Sequence, residues 1–368
     1  MGEARRLNGR RVVLLELNDS HDDCVLSWYL TLQAEGCTVA IAAPSAMRGR
    51  LNVEADTMWC DAHAHGSLLH RIATMLRVRR FVRAFNADTI VLTTATGTTQ
   101  RDLMAFMPRA CLRIGVLHYV SKAGISTNQR RLERYLDAYA VIAPHLRTLT
   151  DPSLHMPVHC IPITAYPEGH AGDVPRKRQD EIWIGIPGSM EPLRRDYAAV
   201  FRDEVMNMLP TSTSFVFLGS VRADRPERAE LRRTIERWSN RVRFIEGYVT
   251  HEQYHALAAH CDAILPLIHP SCHEYTEFMT TKSSGAFTIA WAHRLPMLLE
   301  RGFERFEDLK GSGSFYDVAR LPETLHSFAT DSELRRAARA RAAADLIDDA
   351  YRQDATVRVM TDHSSPLS

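Results

Sequence analysis

The chain has 368 residues, 45% of them hydrophobic and 24% charged, with 45 Lys and Arg against 44 Asp and Glu. At about 150 residues per domain this length suggests two domains, and the mix is that of a soluble globular protein, not a disordered, collagenous or disulfide-stapled one. The near-even charge balance gives no argument for nucleic acid as a partner.

No apolar run approaches the ~18 residues of a membrane-spanning helix. The basic N-terminus MGEARRLNGRR leads straight into RVVLLEL, which is too short for a signal peptide and lacks a cleavage site. The seven cysteines (Cys24, Cys37, Cys60, Cys111, Cys160, Cys261, Cys272) are odd in number and form no C-x-x-C pair. They read as reduced thiols of a cytoplasmic protein.

In chain order, short apolar runs alternate with longer amphipathic stretches. Arg11–Leu17 reads as a strand, Asp22–Glu35 as a helix ended by Gly36 at a C-cap, and Thr38–Ala43 as a second strand. A helix over Ser67–Phe85 follows, then strands at Thr89–Thr93, Arg113–Leu117, Ala138–Ile142 and His159–Ile163. Thr164–Asp180 carries Pro, Gly and charge without periodicity and reads as a linker. The alternation then restarts, with strands at Ile182–Ile186, Ser214–Leu218, Val242–Ile245 and Ala263–Leu267. Helices are expected between them at Asp196–Met208, Glu227–Trp238 and His251–His260. Strands alternating with helices imply parallel sheets covered on both faces. The expected organisation is a domain over residues 1–165, a linker over 166–180, a second domain over 181–345, and a C-terminal helix and tail over 346–368 that is frayed from Asp354 onward.

Two short motifs suggest metal chemistry. His251–His255 spells HEQYH, which on a helix puts two imidazoles on one face with Glu252 beside them. Thr250 and Gln253 form a capping box that places the motif in the first turn of a short helix, and no third ligand follows in a recognised spacing. Ser20–Cys24 (SHDDC) resembles the H-P-D-D-E loop of zinc-dependent de-N-acetylases, but lacks its Pro and Glu. It reads as a polar loop and helix start with Ser20 or Asp22 as N-cap. It lies at the C-terminal end of a parallel strand, where ligands bind in such sheets.

The second half carries a more specific pattern. VRFIEGYVTHEQYHALAAHCDAILP (Val242–Pro266), EYTEFMTTKSSGAFTIAWAHRLP (Glu274–Pro296) and IGIPGSMEPLRRDY (Ile184–Tyr197) together resemble the donor-binding half of GT-B glycosyltransferases. The N-terminal half agrees more loosely, through SHDDCVLSWYLTLQAEGCTVAIAAP and RIGVLHY. The resemblance spans most of residues 11–345. It implies an α/β protein of two Rossmann-like parallel-sheet domains facing across a cleft. The implied activity is metal-independent transfer of a sugar from a nucleotide diphosphate sugar to a hydroxyl of a glycan, a lipid-linked intermediate or a small molecule, with no cofactor.

The resemblance also implies roles. Lys282, Ser283, Ser284, Gly285 and Ala286 put small residues, hydroxyls and backbone N–H groups at a helix start, which suits a diphosphate. Gly188, Arg194 and Arg195 open the donor half, and the arginines or Lys282 would neutralise the leaving diphosphate. Tyr248, beside Gly247, is placed for the nucleobase or for the core. Glu274 falls where the family carries an acid near the donor sugar. The family's second Glu, eight positions on, is replaced by Lys282, which leaves the stereochemistry open, with Glu277 as a fallback. His118 follows a strand end and would meet the donor sugar; His21 and Asp19 are the other base candidates, needed if the reaction inverts.

Ser67–Phe85 carries five arginines and no acid among apolar residues. It reads either as a sheet-covering helix or as one lying on the inner face of a membrane. The alternatives to a transferase are an epimerase or hydrolase of nucleotide sugars on the same scaffold, a catalytically silent nucleotide-binding protein, and a zinc hydrolase built on HEQYH.

Overall fold

The computed structural model describes residues 6–60, 68–166, 174–221, 224, 226–345, 347 and 349–362. Its contacts divide the chain into two units. The first is Met1–Tyr166, Thr281–Ser283 and Asp349–Ser368; the second is Pro167–Thr280 and Ser284–Asp348.

Unit 1 is built on β1 (Arg11–Leu15), whose Val12, Val13, Leu14 and Leu15 are fully buried. A strand this apolar must be covered on both faces, at about 1.5–3 kcal/mol for each large side chain removed from water. The helix α1 (Asp22–Ala34) covers it with Cys24, Val25, Trp28 and Leu32, and Gly36 turns the chain at φ +87 into β2 (Thr38–Ala43). Next come β3 (Asp56–Trp59), α2 (Leu68–Ala84), β4 (Thr89–Leu92), α3 (Thr98–Phe106) and β5 (Leu112–Leu117). After them follow α4 (Thr127–Glu133), β6 (Ala138–Val141), α5 (Pro144–Thr148) and β7 (Val158–Cys160). The seven strands are parallel in the order β3-β2-β1-β4-β5-β6-β7, with Leu14 opposite Ile41 on one side and Val91 on the other. Helix α2 turns Met75, Val78 and Val82 inward, leaving Leu69 and Leu76 exposed.

Unit 2 repeats the plan. Its elements are β8 (Ile182–Ile186), α6 (Asp203–Met208), β9 (Thr213–Phe217), α7 (Pro226–Arg237), β10 (Val242–Arg243), α8 (His251–Ala259) and β11 (Ala263–Ile264). They continue with α9 (Tyr275–Thr280), α10 (Gly285–Ala292), β12 (Met297–Glu300), β13 (Gly313–Tyr316), α11 (Leu321–Thr330) and α12 (Ser332–Ala343). The six parallel strands run β10-β9-β8-β11-β12-β13. Ile184, Ile186, Phe215, Phe217, Val205 and Leu325 belong to one core between sheet and helices. The last helix, α13 (Asp349–Thr361), returns to unit 1 and packs against α1 and β7.

Three expectations are corrected. The helix expected over Asp196–Met208 is broken: Asp196 caps a short 3-10 turn at Tyr197–Ala199, and extended Arg202 starts α6 afresh. The stretch expected to fray from Asp354 is helical to Thr361, because Thr356, Val359 and Met360 are fully buried. The N-cap of α1 is neither Ser20 nor Asp22 but His21, in the left-handed region at φ 70. All seven cysteines are buried free thiols.

Candidate functional site

In a parallel sheet of this order the chain leaves two adjacent strands in opposite directions, which opens a crevice beyond their C-terminal ends. In unit 1 those strands are β1 and β4. The residue after β1 is Glu16, which is wholly buried. Its Oε1 accepts from Leu17 N (2.8 Å), Asn18 N (2.8 Å) and Asn18 Nδ2 (3.0 Å). Its Oε2 accepts from Thr93 Oγ1 (2.8 Å) and Thr94 Oγ1 (2.6 Å), at the end of β4. Burial raises the Glu16 pKa, opposed by the Thr94, Asn18 and Thr93 donors. The sequence reading passed over Glu16; the signal was an acid inside RVVLLEL, at a position where only a paired carboxylate survives burial.

The strained His21 backbone sets its ring 3.9 Å from that of His118, tilted by 30°. His118 Nε2 lies 2.8 Å from Thr93 O. A carbonyl only accepts, so Nε2 carries the hydrogen and Nδ1 keeps its lone pair. Burial, then the neighbouring His21, pushes the His118 pKa down to about 3, so the ring is neutral at physiological pH. Lys282 pairs as an antiparallel bridge with Tyr119, the residue after His118, and Val120 N donates to Thr281 O (2.7 Å). Lys282 therefore belongs to unit 1. Asp19 stays apart: it is exposed, and its carbonyl takes Arg50 Nη2 (2.6 Å).

In unit 2 the corresponding strands are β8 and β11. After β8, Gly188 adopts φ +82, and Gly219 of the next loop packs on it so closely that a Cβ there would lie 2.3 Å from Gly188 O. A Cβ on Gly188 would lie 2.9 Å from Arg195 Nη2. Arg195 Nη1 donates to Pro266 O, just beyond β11. Burial lowers the Arg195 pKa, and the guanidinium forms no ion pair among the described residues. The adjacent carboxylate, Asp196, is engaged elsewhere. Its Oδ2 accepts from His269 Nδ1 (3.0 Å) and Ser271 Oγ (3.1 Å), and His269 Nε2 meets Tyr316 OH (2.8 Å). The His269 bond holds the Asp196 carboxyl below its ordinary pKa. Arg195, Asp196, Tyr197, Phe201, Glu230 and Leu231 line a cavity of about 560 Å³, within the usual range for small-molecule sites.

The remaining candidates scatter. Arg194 pairs with Glu274 (Nε to Oε2, 3.0 Å), so the two occupy each other. Tyr248 is about half exposed on a loop held by Ser220 Oγ to Gly247 O (2.8 Å). Ser284 caps α10, accepting from Ala286 N (3.2 Å), and Gly285 opens the helix. Ser283 Oγ is buried without a hydrogen-bond partner among the described residues. The chain passes from unit 1 to unit 2 between Ser283 and Ser284. Glu277 lies in the first turn of α9. In HEQYH the expected capping box of Thr250 and Gln253 is present. His255 Nδ1 is bonded to His293 Nε2 (2.9 Å), and among the described residues no three metal-ligating side chains converge. Ser67 lies outside the described residues.

Two parallel α/β units, each with a switch point in its strand order, define the chain's class: it has the GT-B fold. Solved structures share it across nearly the whole chain. Anabaena HepE, in complex with UDP and glucose, superposes with a TM-score of 0.63 at 15% identity over 96% of this chain and 100% of that one. A glycosyltransferase from Rickettsia africae gives 0.62 at 10% identity over 97% and 100%. A UDP-N-acetylglucosamine 2-epimerase gives 0.60 at 13% identity over 96% of each chain. No protein-family model matches the sequence, and no curated protein matches it.

Proposed function

We propose that the chain is a glycosyltransferase that moves a sugar from a nucleotide diphosphate sugar to a hydroxyl acceptor. The observation that carries this reading is Arg195: a partly buried guanidinium at the unit 2 switch point that donates to a carbonyl and forms no ion pair among the described residues. A cation partly withdrawn from water without a counter-ion is costly, and an anion that completes it lowers that cost. Gly188 keeps the backbone beside it free of side chain. Both suit a diphosphate, and HepE, which shares the fold, was solved with UDP.

When the bond from the sugar C1 to the phosphate oxygen breaks, the electron pair leaves with the diphosphate. Arg195 stabilises that charge, with the α10 N-terminus around Ser284, Gly285 and Ala286 as a further candidate in the same unit; Lys282 is a candidate on the resemblance alone. His118, neutral, offers Nδ1 as an acceptor to a sugar hydroxyl rather than as a strong base. His21 is the group left to deprotonate the acceptor hydroxyl if the reaction inverts; Glu274 and Asp19 stand behind it. Tyr248 is the candidate for the nucleobase. Exposed Leu69 and Leu76 on the arginine-rich α2 fit peripheral contact with an anionic membrane carrying a lipid-linked acceptor.

The test is a thermal-shift screen against UDP, GDP, ADP, TDP and CMP, on wild type and Arg195→Gln. One nucleoside diphosphate at about 100 times its Kd should stabilise by ~2.7 kcal/mol, and Arg195→Gln should abolish the shift. No stabilisation by any diphosphate, or an unchanged shift in the variant, overturns the reading. The 2-epimerase of the same fold favours one alternative, an isomerase of nucleotide sugars. It would convert the donor with no acceptor present, whereas a transferase releases nucleoside diphosphate only as acceptor is consumed.

A further inference from the structure

Unit 2 has a second cavity at the opposite end of its strands. Ala259–Asp262 joins α8 to the start of β11, and Lys177 precedes β8, so both lie at the N-terminal ends of the strands, away from Gly188 and Pro266. With Arg335, Arg336 and Arg339 of α12 they line a cavity of about 450 Å³. Its charged lining is four cations against one acid, Asp262. That acid is already satisfied, because its Oδ2 accepts from Lys177 Nζ (2.6 Å) and Trp183 N (2.7 Å).

The arginines are held by neutral groups. Arg335 Nη1 donates to Phe328 O (2.6 Å) and Ala329 O (2.9 Å), near the end of α11. Arg339 Nη1 donates to Cys261 O (3.4 Å), and Lys177 Nζ also to His260 O (3.0 Å). Only Arg336 has an acid of its own, Glu333, in an exposed pair, which is worth little. A guanidinium carries five N–H donors. Among the described residues the Nε and Nη2 groups of Arg335 and Arg339 make no hydrogen bond. The forks are thus anchored through one nitrogen while the rest keep their donors and full charge.

We propose that this cavity is a second anion site, taking a phosphate or diphosphate group, separate from the switch-point crevice. Phosphate matches both the fork geometry and the charge excess, since its oxygens accept paired N–H donors and it carries more charge than a carboxylate. The lining has no aromatic ring besides His260, so the site reads the phosphate rather than a base.

The test titrates pyrophosphate at low ionic strength into wild type, Arg336→Gln/Arg339→Gln and Arg195→Gln, by calorimetry. Arg336 and Arg339 are exposed, so the double variant should melt with wild type. Wild type should show two classes of site. The double variant should weaken one by at least about tenfold, given charge-assisted bonds from two of the four cations, and leave the other intact. A second arm sediments the same proteins with phosphatidylglycerol vesicles; binding lost there in the double variant, without a pyrophosphate site, makes the phosphate a lipid headgroup. Wild type and double variant indistinguishable in both arms overturns the proposal. Loss of only the Arg195-dependent site bears on the donor reading and not on this one.

Discussion

Replacing Glu16 isolates what the unit 1 switch point demands of the fold. Five donors converge on this carboxylate, two of them backbone amides and two the hydroxyls at the end of β4. In Glu16→Ala the Leu17 amide and at least one threonine hydroxyl lose their acceptor in a buried setting. At about 1–3 kcal/mol per unsatisfied donor, plus the void, the cost is about 3–5 kcal/mol. A unit of this size loses about 2–4 °C of melting midpoint per kcal/mol, so the fall is of order 10 °C. Glu16→Gln keeps an oxygen for the backbone donors and offers an amide to the threonine oxygens, and should lie within about 3 °C of wild type.

The pH response gives the same experiment a second reading. Burial raises the folded pKa of Glu16, so its contribution is complete below the ordinary carboxyl pKa and is lost as pH rises through the folded value. The wild-type midpoint should therefore gain on that of Glu16→Gln at pH 5 and lose ground at pH 8. Circular dichroism melts of the three proteins at both values are sufficient. Alanine and glutamine variants melting together, with no pH-dependent gap, would refute the account of Glu16 as a buried acceptor.

Acid should destabilise the chain through histidines held neutral by burial, with folded pKa values of about 3 for His118, about 2 for His255 and about 4 for His293. Their unfolded forms take protons below about pH 6.5. Their contribution is therefore complete above that value and falls as pH drops toward 4, by up to ~4 kcal/mol per pH unit for the three together; His255→Gln/His293→Gln should flatten most of that slope in urea unfolding, and an unchanged slope refutes it. Gly188→Ala puts a Cβ at φ +82 and 2.9 Å from Arg195 Nη2, so it should weaken nucleoside diphosphate binding about tenfold or more by displacing the guanidinium; equal affinity would detach Gly188 from the site. His118→Ala should lower turnover about 100-fold while leaving the position of any pH optimum unmoved, because a ring with a pKa near 3 does not titrate there; a shifted optimum would make it the base after all.

The fold was legible where burial imposes a simple pattern. RVVLLEL, TIVLT and IWIGI are apolar on both faces and became β1, β4 and β8, and Gly36 ended its helix through the φ only glycine adopts cheaply. What escaped was set by tertiary contacts. β3 carries Asp56 and Thr57 and is half exposed at the sheet edge, so it has no period to read. α13 looked too polar to dock, because its buried side includes Thr356 and Arg352, the latter donating to Thr164 Oγ1 (2.7 Å).

The site divides along the same line. Gly188 and Arg195 were candidates through the resemblance of Ile184–Tyr197 to a donor half, and His21 and His118 through their loops after parallel strands, where ligands bind; the structure brings the first two together and the last two together. Glu16 was passed over because a single acid in an apolar run looks like noise until its five donors are seen. The two switch points then differ in a way no spacing reveals. Unit 1 buries a carboxyl group and surrounds it with donors; unit 2 half-buries a guanidinium that, among the described residues, meets only a carbonyl. A satisfied carboxylate shapes its own loop and needs nothing further. An unbalanced guanidinium favours whatever anion arrives. On the proposed reading, nucleotide affinity therefore resides in Arg195, while Glu16 governs how the His21 loop is held. The Arg195 variant should lose nucleotide binding and the Glu16→Gln variant should keep it.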